Sequence, residues 1–82
     1  MRFTEAEIEK IVSEKIFALT HKKISSQADE LIESGILNSI TLAELAVELE
    51  KTLSIVFSFT DINKENFSTP EKIKAFLKNK LD

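Results

Sequence analysis

Cysteine is absent from this chain of 82 residues, and its absence excludes several kinds of chemistry. Without a thiol the chain forms neither a disulfide nor a zinc-thiolate site, and it has no thiol nucleophile. Any thiol chemistry must use a thiol supplied by another molecule. Histidine occurs once, at His21, so the base and orienting acid of a serine hydrolase are not predicted. We therefore predict no catalytic residues.

Long apolar runs are also missing. No stretch approaches the roughly 20 residues of a membrane span, and the charged start MRFTEAEIEK lacks the apolar centre of a secretory signal. We expect a cytoplasmic protein that does not insert into membranes. A chain this short buries only about 60 to 65% of its unfolded surface, which favours one domain over residues 1–82 with a small core.

Acidic and basic residues are distributed unevenly, although the net charge is only −3. The segment from Gln27 to Glu50 contains six acids and no lysine or arginine. Such a block favours basic protein partners and disfavours nucleic acid. The end of the chain is basic without an aromatic platform, which is typical of a helix C terminus rather than of a nucleic-acid site. Its lysines are Lys72, Lys74, Lys78 and Lys80.

Capping patterns predict the first helix and the loop after it. TEAE, starting at Thr4, fits a capping box, and apolar residues at helical spacing continue to about Thr20. The long segment that follows is predicted to be held against the core, and Gly35 is the expected position of a positive φ angle. The core residues of this segment are predicted to be Ile24, Leu31, Ile36 and Leu37.

The segment after residue 53 contains one ambiguous stretch and one clear helix. IVFSF alternates like a strand but has no evident partner strand, so we interpret it as an extended loop. Asp61 is predicted to cap a short helix that ends near Asn66. Thr69 and Pro70 fit the cap and the first position of a last helix. The core is predicted to include Phe57, Phe59 and Phe67.

The stretch SGILNSITLAELAVELE changes from a loop into a helix where a serine follows an asparagine. Asn38 predicts the helix start, because its side chain accepts a hydrogen bond from a backbone N–H of the first turn. Ser39 is then not needed as a cap. Its hydroxyl is expected at the exposed positive end of the helix dipole, where a phosphate-type anion is easily held. The sequence thus predicts Ser39 as a site of attachment.

A helical wheel of residues 39–53 shows two apolar stripes. The stripe predicted to be buried contains Leu42, Leu45, Ala46, Leu49 and Leu53. The stripe predicted to be exposed contains Ile40, Glu44, Val47, Glu48 and Lys51. The exposed stripe predicts a small docking patch, although single exposed apolar residues are common on ordinary surfaces. Its two carboxylates lack a histidine or third ligand, so we predict no metal site.

Two stretches resemble a known family. DELIESGILNSITLAELAVELE resembles the attachment-site region of acyl and peptidyl carrier proteins, whose pattern is an acidic–leucine pair, a glycine, two apolar residues and then Asp-Ser-apolar. FTDINKENFSTPEKI is similar to the D-alanyl carrier proteins of teichoic acid modification. The resemblance covers almost the whole chain. It implies an all-α bundle with three longer helices, a short third helix and a long first loop.

The resemblance also implies a function. Ser39 would accept 4′-phosphopantetheine from coenzyme A through a phosphopantetheinyl transferase, and the arm would hold an acyl or aminoacyl group as a thioester. The chain would be a non-catalytic carrier, expected to be a monomer, that serves an adenylating acyl or aminoacyl ligase and a downstream acyltransferase or synthase. The residues predicted to bind these partners are Asn38, Ile40, Thr41, Glu44, Val47 and Glu48.

Three positions depart from the family pattern. Asn38 replaces the usual aspartate, and Thr41 and Lys51 stand at positions that are often acidic. Asparagine caps a helix about as well as aspartate but lacks the charge. The departure at Asn38 bears on recognition by the transferase, whereas those at Thr41 and Lys51 favour a dedicated pathway over general fatty-acid synthesis. The alternative that stays open is a small helical interaction module without a prosthetic group.

Overall fold

Four α-helices and one 3-10 turn follow each other in a computed structural model that describes residues 3–81. No strand occurs within this range, so the predicted all-α fold with a short third helix is confirmed. None of its helices has the length and hydropathy needed to cross a membrane. The elements are α1 (Glu5–Thr20), α2 (Ser39–Leu53), the 3-10 turn (Phe59–Asp61), α3 (Lys64–Phe67) and α4 (Pro70–Leu81).

The predicted caps of α1 and α4 are confirmed. The Thr4 hydroxyl accepts a hydrogen bond from the Glu7 backbone at 3.1 Å, and the Glu7 carboxylate accepts one from the Thr4 backbone at 2.8 Å. The Thr69 hydroxyl accepts from the Lys72 backbone at 3.1 Å. Both helices therefore begin where their local sequence satisfies the unpaired N–H groups of the first turn.

The core lies where α1 packs against both α2 and α4. Each of these helices contributes one apolar stripe, as the helical spacing predicts. Leu42 departs from the prediction, because it is only partly buried at the edge of the α2 stripe. The buried residues of the three helices are Ile8, Val12 and Ile16, then Leu45, Ala46, Leu49 and Leu53, then Ile73 and Leu77.

The loop between α1 and α2 is hydrogen-bonded to the segment where α4 begins. The Leu31 backbone N–H donates to the Ser68 carbonyl at 2.7 Å, and the Glu71 N–H donates to the Gln27 carbonyl at 2.9 Å. The buried side chains of Leu31 and Leu37 confirm that this loop contributes to the core. Gly35 has φ +83°, as predicted. The loop before α2 is therefore held against the core and the start of α4.

Two predictions about the segment before α3 were wrong. Phe57 and Phe67 are buried, but Phe59 is 84% exposed, because a 3-10 turn begins there and breaks the alternation. Asp61 does not cap α3. That cap is Asn63, whose side chain directly precedes the helix and accepts from the Asn66 backbone at 2.8 Å.

The lysines of α4 are largely paired with acids from other elements. Lys74 lies 2.8 Å from the Glu9 carboxylate, and Lys78 lies 2.6 Å from that of Glu5. The hydrogen bond and charge of Lys78 lower the pKa of Glu5 below its ordinary value. The positions of Lys74 and Lys78 thus have a structural explanation in the packing of α4 against α1.

Candidate functional site

The start of α2 is fixed by hydrogen bonds that run in both directions. The Asn38 side-chain oxygen accepts from the backbone N–H groups of Ile40 and Thr41, both at 2.9 Å, which confirms Asn38 as the cap. The Thr41 hydroxyl in turn accepts from the Asn38 backbone at 2.8 Å. This second half of the cap was missed, because the usual sequence signature has Glu or Gln at the fourth position.

Ser39 is the first residue of α2 and is exposed. Its hydroxyl has no hydrogen-bond partner among residues 3–81, since the neighbouring side chains already complete the cap. The first turn of α2 contains no acid, so no carboxylate there offsets the positive end of the helix. An exposed hydroxyl in this setting fits a phosphodiester, whose negative charge the helix end stabilises.

An apolar groove begins at Ser39 on one side of the helix. Sequence reasoning missed this groove, because it assigned Phe59 and Leu42 to the core. The groove depends on the 3-10 turn bringing Phe59 and Ile62 beside α2. Its lining residues are Ser39, Leu42, Ala43, Phe59 and Ile62.

The predicted exposed stripe lies on the other side of α2. Ile40 is 70% exposed and Val47 is 46% exposed, so the wheel assignment of these two residues is confirmed. Glu44 forms no ion pair with the described residues. Glu48 is instead held by Lys15, at 3.5 Å across the α1–α2 interface. A role for this stripe in binding partners stays a prediction.

The six predicted partner-binding residues therefore occupy two zones. Asn38, Ile40 and Thr41 form the turn that surrounds Ser39, with Asn38 and Thr41 engaged in the cap. The remaining three lie farther along α2, where Glu44, Val47 and Glu48 line a shallow surface groove beside α1. Within residues 3–81 no group of three or more potential ligand side chains is arranged to hold a metal ion.

Comparison with known proteins gives consistent matches. The sequence profile of the family described as "Phosphopantetheine attachment site" matches residues 7–77. A D-alanyl carrier protein of Lactobacillus delbrueckii subsp. bulgaricus is 29% identical over 77 residues, which cover 93% of this chain and 96% of that relative. D-alanyl carrier proteins of Leuconostoc citreum and of Streptococcus pyogenes serotype M5 are 32% and 34% identical, over 78% and 80% of this chain and 83% and 85% of their own lengths.

Proposed function

The chain belongs to the phosphopantetheine attachment-site family, as a D-alanyl carrier-like member, and we propose that Ser39 is the residue that bears its arm. Family membership makes the chain a carrier protein whose cofactor is covalent 4′-phosphopantetheine. The observation that supports Ser39 is its hydroxyl, which is exposed and unpartnered at the start of a helix of 15 residues. Asn38 and Thr41 hold the surrounding turn in place.

The proposed modification is a phosphoryl-type transfer onto Ser39. The serine oxygen bonds to the phosphorus of the phosphopantetheine half of coenzyme A, and the adenosine bisphosphate half leaves with the electrons of the broken bond. The transferase removes the hydroxyl proton. The chain contributes the position of the oxygen and the positive end of the helix dipole. Once attached, the arm supplies the thiol that the chain lacks, and the cargo is held there as a thioester.

The names of the relatives support a D-alanyl cargo for this chain. Carrier proteins work with ligases and transferases, and the family is generally non-catalytic. We propose that this chain is itself non-catalytic, that an adenylating D-alanyl ligase loads it, and that a downstream acyltransferase unloads it. Tethering raises the effective concentration of the cargo at each partner. We expect a single monomeric domain that works in the cytoplasm.

The exposed stripe of α2 supports docking by basic partners. Glu44 is unpaired within residues 3–81, while Ile40 and Val47 supply an apolar contact on the same side of the helix. Charges at a rim chiefly raise the association rate, whereas buried apolar contacts chiefly lengthen the lifetime of a complex. We expect partners to present a shallow apolar contact surrounded by Arg or Lys.

The assignment of Ser39 is tested by intact-mass measurement after incubation with coenzyme A and a broad-specificity transferase. The unsubstituted chain should gain a single phosphopantetheine adduct, and Ser39→Ala should gain none. Because Ser39 is exposed, its replacement should change the free energy of unfolding by less than about 0.5 kcal/mol. Ser34→Ala is the matched control, since Ser34 is an exposed serine in the preceding loop. An adduct on the Ser39→Ala protein would overturn the assignment.

The cargo is tested separately on the modified protein. Incubation with ATP, D-alanine and a D-alanyl ligase should add the mass of one alanyl group, and hydroxylamine should remove it as expected for a thioester. Loading with another acyl or amino acid in preference to D-alanine would contradict the proposed cargo. It would leave the assignment of Ser39 intact.

A further inference from the structure

Phe59 has the highest exposure among the large apolar side chains of residues 3–81. Its side chain is 84% exposed and contributes almost nothing to the core, although the chain has only six phenylalanines and no tryptophan or tyrosine. Its ring lines the groove that begins at Ser39. Exposed aromatic side chains of this kind often anchor an interface by entering a pocket of the partner.

The turn that bears Phe59 is held by several hydrogen bonds. The Asp61 carboxylate accepts from the Ser58 backbone at 2.8 Å and lies 2.8 Å from the Lys80 ammonium. The Asp61 backbone N–H donates to the Ser58 carbonyl at 3.0 Å, and the Asn66 amide donates to the Asp61 carbonyl at 2.9 Å. The backbone that carries Phe59 is therefore ordered before any partner arrives, which lowers the entropy cost of using this side chain in an interface.

Because we assign the arm to Ser39, we propose that Phe59 is a docking anchor for the transferase that modifies this serine. The transferase must bring its reacting centre to the Ser39 hydroxyl, so its surface must cover the immediate surroundings of that hydroxyl. Phe59 lines the same groove and projects from it. The transferase should therefore present an apolar recess beside its active site.

The charges near the groove indicate the chemistry of that recess. The groove is lined by Ser39 and apolar side chains, and the neighbouring Asp61 is paired with Lys80. The Lys80 hydrogen bond also lowers the pKa of Asp61 below its ordinary value. The contact at Phe59 should consequently depend little on salt, in contrast to a contact made through the unpaired Glu44.

Loading kinetics of the unmodified protein provide the first test. Phe59→Ser should raise the KM for loading by the transferase of the same organism about tenfold or more, with kcat nearly unchanged, as for loss of a binding hot spot. Phe59→Leu should recover part of the loss. Val56→Ser is the matched control, because Val56 is 81% exposed on the same segment but does not line the groove. It should leave KM close to the unsubstituted value.

Competition by proteins that cannot be modified separates docking from any contact with the arm. Ser39→Ala should inhibit loading of the unsubstituted chain, and adding Phe59→Ser should weaken this inhibition about tenfold, whereas adding Val56→Ser should not. Equal inhibition by all three proteins would overturn the proposal. The melting temperature of each protein can then be compared before and after attachment of the arm. A rise in the unsubstituted chain that is absent from the Phe59→Ser variant would overturn the proposal, because the groove would then hold the arm rather than the transferase. Failure of the unsubstituted chain to be modified would instead overturn the assignment of Ser39.

Discussion

Replacing Asn38 by aspartate tests whether the N-terminal end of α2 stabilises a negative charge. The Asn38 oxygen accepts two backbone hydrogen bonds at 2.9 Å, and an aspartate oxygen of the same geometry would keep both. The change adds one negative charge beside a first turn that contains no acid. Such a charge stabilises a helix by about 0.3 to 1 kcal/mol. For a domain of this size, that corresponds to a rise of about 1 to 8 °C in melting temperature.

Thermal unfolding at two salt concentrations and several pH values would measure this effect. The gain should shrink at about 1 M salt, where the Debye length is only about 3 Å. The helix end should lower the pKa of the new carboxyl in the folded state. Its stabilisation should then be present above the unfolded pKa of about 3.9 and be lost as pH falls through the lower folded value. Asn38→Ala is the control and should cost about 1 kcal/mol, because it removes the acceptor.

The same variant should be modified faster, because aspartate is the residue that the family pattern has before its serine. The rate can be followed by intact mass with coenzyme A and the transferase in limiting amount. An Asn38→Asp protein that melts at or below the unsubstituted temperature in low salt would refute the reasoning about the helix end. Equal or slower modification with a raised melting temperature would show that asparagine is matched to its own transferase.

Two pairs of substitutions test the faces of α2. Leu45 is fully buried, whereas Val47 is 46% exposed. Leu45→Ala should therefore lower the free energy of unfolding, measured in urea, by about 2 to 5 kcal/mol, and Val47→Ala should change it by less than about 0.5 kcal/mol. Equal costs would place Val47 in the core. Glu44→Lys should slow loading by the ligase more in low salt than in high salt. Glu48→Lys should show a smaller salt-dependent slowing, since Lys15 already pairs with the Glu48 carboxylate. The reverse order would contradict docking through Glu44.

The starts of the three longer helices could be predicted because their signals are local. Thr4, Asn38 and Thr69 each lie next to the N–H groups that they satisfy, so a few residues of sequence contain the whole interaction. The apolar stripes could be predicted for the same reason, since helical spacing decides which side chains share a face. Leu42 lies at the border of its stripe, where the spacing alone does not determine burial.

The position of Phe59 could not be predicted from local pattern. Alternation of apolar residues predicts which side chains face the core only while the backbone stays extended. Here a 3-10 turn begins at Phe59 and ends the extended stretch. That turn depends partly on Lys80, which is distant in sequence and reaches Asp61 only in the folded chain. The groove beside Ser39 therefore arises from tertiary packing, whereas the proposal of Ser39 as the attachment site needs only its sequence neighbours.

The hydrogen bonds between the first long loop and the α3–α4 junction have a consequence for the order of events during synthesis. The loop that precedes α2 is held by the Ser68 carbonyl and the Glu71 N–H, which leave the ribosome well after Ser39. Contacts between distant parts of a chain form only when both parts are available. A nascent chain that stops short of these residues lacks the bonds that hold the loop before Ser39. If Ser39 is the modified serine, as proposed, we expect the transferase to act on it fully only after Ser68 and Glu71 have joined the fold and the loop before α2 is held.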